Sequence, residues 1–119
     1  MKKLLLSVTL LGILSTNTFA CEGWKSEYAT LAWKTTTYSR TYTKYAKGDY
    51  SEEKFNSKKE KLLSDIEELK SYVNNTDSCS GKENRKTRLQ SWISKVIDVI
   101  KNNSDEASAL AKQIKDDLN

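Results

Sequence analysis

The sequence predicts an all-α protein: a small antiparallel bundle of three to four helices stapled by one disulfide. Three observations predict it. Apolar and aromatic residues recur at alternating steps of three and four over most of the chain beyond residue 20, the spacing of one helical face. The chain has no Pro, and Gly23, Gly48 and Gly81 fall where helices would begin or end. The two cysteines, Cys21 and Cys79, lie about equally far before and after the first turn, so two antiparallel helices would bring them to one end.

The first twenty residues are set apart from this pattern. Lys2 and Lys3 precede an apolar stretch at 4–14, shorter than the ~20 residues needed to span a bilayer. Thr18 and Ala20 put small residues at −3 and −1 of a cut after Ala20. Residues 1–20 read as a secretory signal peptide of bacterial look, and 21–119 as the single mature domain. No second apolar run is present, so no transmembrane segment is expected in the mature chain.

Export makes a bridge between Cys21 and Cys79 the natural use of an even cysteine count. A loop of that length stabilises by up to ~4 kcal/mol in the chain-entropy account. The competing reading is a lipoprotein anchored through Cys21. Thr18 and Phe19 match the bacterial lipobox poorly, since it favours Leu at −3 and a small residue at −2.

The first helix is expected from about Glu22 to Lys47, with a seam of Trp24, Tyr28, Leu31, Thr35, Tyr38, Tyr42 and Tyr45. The Thr and Tyr residues between 35 and 45 favour strand by propensity, but their spacing favours helix. Lys47-Gly48 is a stop signal. Asp49 and Glu52 read as a capping box for a second helix running to about Val73. Phe55, Leu62, Ile66, Leu69 and Val73 mark its buried face, with Leu63 and Tyr72 on the flank. Residues 74–79 form a loop, and Ser80 with Glu83 reads as a second capping box. The third helix carries Leu89, Trp92, Ile93, Val96, Val99 and Ile100. Asn102 to Asp105 look like a stop and restart, with Asn103 and Glu106 as a cap pair, before Ala107, Leu110, Ala111, Ile114 and Leu118. One heptad register runs through both segments, so a single long helix competes with a break at Asn103.

Leu, Ile, Val and Phe number only 16 of the 99 residues from 21 to 119, a disorder-like share, while three Trp and six Tyr fill the deficit. The core is therefore expected to be modest and aromatic-rich, and a bridge suits a domain of this size. The net charge of +4 falls to +2 once Lys2 and Lys3 leave, with 18 basic against 16 acidic residues. That balance does not point to nucleic acid. Segment charges alternate in sign along the chain, as suits antiparallel neighbours.

The chain has no His, which excludes Ser-His-Asp and Cys-His nucleophiles and His-ligated metals. Two cysteines cannot build a Cys-only zinc site. Adjacent acids such as Glu52-Glu53, Glu67-Glu68 and Asp116-Asp117 point ~100° apart on a helix rather than converging. No enzyme, cofactor or metal is therefore expected. Asn74 and Asn102 head glycosylation sequons that are incidental in a bacterial chain.

Two surfaces remain as candidate partner-binding sites. Lys82, Arg85, Lys86 and Arg88 crowd the first turns of the third helix, where cations oppose the helix dipole. An anionic envelope component or an acidic protein face would explain them. A solvated face neutralised by acids of the second helix such as Glu67 and Glu68 is the simpler reading. Tyr38, Tyr42 and Tyr45 form an aromatic stripe that is either core or recognition surface, and Trp33 lies off the seam as a packing contact or an exposed anchor. The leading expectation is an exported non-catalytic binding module, of the inhibitor, immunity or exclusion type, docking on another protein. A homodimer through the first seam is an alternative use of that surface.

In outline, a small exported helical chain with one bridging Cys pair, and Cys21-Glu22 with an aromatic shortly after, resembles the acid-activated periplasmic chaperones. The resemblance implies a stress chaperone that exposes its aromatic surface conditionally. A small envelope lipoprotein is the third reading.

Overall fold

The computed structural model describes residues 23–118. Residues 1–20, expected to be a signal peptide, and Cys21 and Glu22 lie outside the described residues. Four helices follow one another: α1 Lys25–Ala46, α2 Glu52–Asn74, α3 Glu83–Lys101 and α4 Ala107–Leu118. No strand occurs among the described residues. Each helix runs antiparallel to the one before it, and α4 closes the bundle by packing most extensively on α1. The start of α1 meets the end of α4 through Tyr28 and Asp117. The middle of α1 meets α2 through Lys34 and Asp65.

The predicted seam is the interior of the bundle from Trp24 to Tyr38, and its last two residues, Tyr42 and Tyr45, are half-buried. Trp24, Tyr28, Leu31, Thr35 and Tyr38 are fully buried. The Thr residues that argued for strand are accommodated in α1 by turning their hydroxyls back onto the helix. Thr35 Oγ1 donates to Leu31 O (2.7 Å), Thr37 Oγ1 to Trp33 O (3.0 Å) and Thr41 Oγ1 to Thr37 O (2.9 Å). Each hydroxyl is satisfied within one turn, so a buried Thr carries no unpaired donor. From the other helices Phe55, Ile66, Val73, Leu89, Ile93, Val96, Ile100 and Ile114 complete the core. Ile97, outside the predicted stripe, is also buried.

The helix ends follow specific backbone chemistry. Gly48 adopts φ 88°, its N–H donates to Tyr45 O and the next N–H, of Asp49, to Lys44 O. This paired arrangement satisfies the last carbonyls of α1 and favours a residue without Cβ. Asn103 plays the same part after α3, at φ 52°, with Asn103 N–H on Ile100 O and Ser104 N–H on Val99 O. The left-handed residue settles the competition between one helix and two in favour of a break.

The three expected caps are corrected by one to two residues. α2 is capped by Ser51, whose Oγ accepts from Lys54 N–H (3.1 Å), rather than by Asp49. α3 has Lys82 at its N-cap with no side-chain cap, and Glu83 Oε1 accepts from Gly81 N–H (3.1 Å) in place of a Ser80 box. Ser104 Oγ, not Asn103, accepts from Glu106 N–H (3.1 Å) before α4. α1 starts at Lys25, behind a Trp24 held at φ 66°.

The structure does not show the expected disulfide as a pair, because Cys21 is outside the described residues. Among those residues no cysteine is free.

Candidate partner-binding surface

The basic cluster of α3 is drawn into the protein. Arg85 Nη2 donates to Leu118 O (3.0 Å) and Asp117 O (3.5 Å), and Nη1 to Gly23 O (3.3 Å). Its guanidinium also lies over the Tyr28 ring, 5.4 Å from the centroid. Lys86 Nζ donates to Thr76 O (2.8 Å), in the loop after α2. Arg88 grips Asp117 with Nε on Oδ2 (3.2 Å) and Nη2 on Oδ1 (3.0 Å). The cations that oppose the dipole of α3 thus complement the antiparallel α4, whose C-terminal carbonyls form the negative pole beside them. The neutralising acid is Asp117, not Glu67 or Glu68. Lys82 is half-buried and its ammonium makes no ion pair among the described residues.

Asp117 gathers donors from three residues. Its Oδ2 also accepts from Tyr28 Oη (2.9 Å) and Trp92 Nε1 (2.7 Å). Burial pushes its carboxyl up, but the hydrogen bonds from Trp92, Arg88 and Tyr28 together with the Arg88 charge outweigh this and hold it below its ordinary value. Burial, reinforced by Asp117, pushes the Tyr28 phenol up to about 12.

The tyrosine stripe divides. Tyr38 is core, its hydroxyl 3.4 Å from Asn103 Oδ1, and burial followed by the neighbouring Tyr42 pushes its phenol up to about 12. Tyr42 and Tyr45 are half-buried around Phe55. Tyr45 stacks on that ring at 4.3 Å and Tyr42 meets it edge-on at 6.3 Å. These aromatics hold the α1–α2 turn together.

Trp33 is different. It is 59% exposed while Trp24 is fully buried. It borders a groove between α1 and α2 lined by Thr37, Thr41, Lys58, Lys61, Leu62 and Asp65. The Arg40 guanidinium lies over its ring at 5.8 Å. At the turn end of the same helix pair, Tyr50 is ringed by Lys54 (4.4 Å), Lys44 (5.5 Å) and Lys58 (5.6 Å). None of these three lysines forms an ion pair among the described residues, and the acid of the groove, Asp65, is already shared by Lys34 (2.9 Å) and Lys61 (3.6 Å). This second basic face was overlooked in the sequence. Its signal was present as Lys54, Lys58 and Lys61 at helical spacing, opposite Arg40 and Lys44.

No group of three or more acids or cysteines among the described residues is placed to hold a metal ion. No helix among them is long and apolar enough to cross a membrane. Comparison with protein families, curated proteins and solved structures finds no match to this chain.

Proposed function

We propose that this chain is an exported, non-catalytic binding module that docks on another protein through the α1–α2 face. The observation that carries the reading is Trp33: beside a groove, it is the one large apolar residue left exposed among the described residues, the others being buried or partly buried. Trp and Arg are the residue types that dominate binding energy at protein interfaces, and here Arg40 lies over the indole. Arg85, Lys86 and Arg88 have internal acceptors, so α1–α2 replaces the start of α3 as the favoured docking face.

Export, to the periplasm or beyond the cell, rests on residues 1–20. A Cys21–Cys79 bridge belongs to the same reading. Trp24 Nε1 donates to Ser78 Oγ (3.0 Å), which brings the segment just after Cys21 beside the residue just before Cys79. Intact mass of the mature chain distinguishes the bridge, which removes two hydrogens, from a lipid on Cys21, which adds hundreds of daltons.

The test is capture from the native envelope with residues 21–119 as bait. One dominant protein, lost with Trp33→Ala, supports the module. Many weakly held, unrelated proteins, or capture only after acidification, support a stress chaperone instead. Recovery of the chain itself supports a homodimer.

A further inference from the structure

We infer that the segment docked in the α1–α2 groove is an acidic stretch of the partner protein, about five residues long, with one apolar side chain at its Trp33 end. The inference rests on the docking reading above and adds the chemistry of the partner.

Three ammonium groups converge on the single ring of Tyr50, all within 5.6 Å of its centroid. A ring face attracts cations by roughly 0.5–1 kcal/mol at exposed sites, but the ammoniums repel one another. Asp49, Glu52 and Glu53 are close in sequence, yet none forms an ion pair with these lysines among the described residues. Anionic groups laid between the lysines would relieve that repulsion. Lys58 links this cluster to the groove, whose lining includes Trp33 and Leu62, which suits a side chain rather than a free anion.

Length supports a peptide. From Lys54 to Asp65 the α2 axis advances ~16 Å at 1.5 Å per residue, which an extended chain covers in about five residues at ~3.3 Å each. The donors at the Tyr50 end are lysines, separate point charges that can each take one carboxylate of an extended acidic segment.

The experiment is an NMR titration of residues 21–119, read at the three tryptophan indole N–H signals. The probes are the capped peptide Glu-Glu-Glu-Glu-Leu, its neutral counterpart Gln-Gln-Gln-Gln-Leu, and phosphatidylglycerol vesicles. The acidic peptide should move the Trp33 signal saturably and leave that of buried Trp24 in place. Affinity should fall by about tenfold in Lys54→Glu/Lys58→Glu, as expected for removal of complementary charge. It should also fall when ionic strength rises from about 0.1 to 1 M and the Debye length shrinks to ~3 Å. Lys70→Glu/Lys112→Glu, with the same change in net charge, should bind as the parent does. Glu near the start of α2 favours the helix dipole, so the Lys54/Lys58 variant should fold, and its circular dichroism checks this. An unmoved Trp33, or equal binding of the neutral peptide, overturns the inference. Vesicles displacing the peptide's role, with Trp33 responding to them alone, overturn it in favour of a membrane surface. Equal binding by the neutral peptide leaves docking at Trp33 standing, whereas absence of any Trp33-dependent captured protein removes the docking reading itself.

Discussion

Asp117, the penultimate residue of the last helix, accepts a 2.9 Å hydrogen bond from the phenol of Tyr28, in the first turn of the first. Arg88 and Trp92 of α3 bind the same carboxylate. One side chain therefore ties three helices at the end of the bundle where α1, α3 and α4 meet. α4 is only 12 residues long, too short to be stable by itself, so this clasp and its apolar stripe hold it in place.

Asp117→Ala should destabilise the fold by about 2–3 kcal/mol, the scale of hydrogen bonds to a charged group with the buried Tyr28 donor left unpaired. Asp117→Asn keeps one acceptor oxygen and should cost less. Urea denaturation followed by circular dichroism measures both.

The same clasp sets the pH dependence. The Asp117 pKa is lowered in the folded state, so its contribution is complete above the ordinary carboxylate range and is lost as pH falls through the folded value. Tyr28 and Tyr38 are raised to about 12, so their contribution is complete below ~10 and is lost as pH rises from there to about 12. Melting temperature against pH should decline at both ends. Asp117→Asn should flatten the acid limb, and Tyr38→Phe should reduce the alkaline one.

Arg85→Glu should lower the melting temperature, because it removes donors from the carbonyls of Asp117 and Leu118 and sets a like charge at the negative pole of α4. The cost should be about 2–3 kcal/mol. Lys54→Glu/Lys58→Glu should leave the melting temperature nearly unchanged. A thermal scan of the two variants separates a cation used for folding from cations left for a partner.

Asn103→Gly and Asn103→Ala should differ. Gly accepts the left-handed backbone and loses only the side-chain bonds from Lys59 (2.8 Å) and Tyr38 (3.4 Å). Ala loses the same bonds and is strained as well, so it should be less stable than Gly by about 1–2 kcal/mol. Denaturant unfolding of the pair measures the difference.

The buried seam from Trp24 to Tyr38 was legible because strict 3/4 spacing reports a helical face whatever the residue types. Ile97 was missed because it sits beside Val96, off that strict register. The caps were misplaced because polar residues cluster at each turn, and composition does not say which hydroxyl meets an N–H. The purpose of Arg85 and Lys86 was illegible for a deeper reason. Their acceptors are backbone carbonyls of Leu118, Asp117, Gly23 and Thr76, which carry no side-chain signature. Trp33 could be placed off the seam from sequence, but whether it was covered depended on the tertiary arrangement.

The most direct test of docking through α1–α2 is site-specific photo-crosslinking in the native envelope. A photoreactive residue would replace Thr37, in the groove, or Lys112, exposed on α4. The account predicts one dominant protein adduct from position 37, lost with Trp33→Ala and not formed from position 112. The same adducts from both positions, or none from position 37, would contradict it.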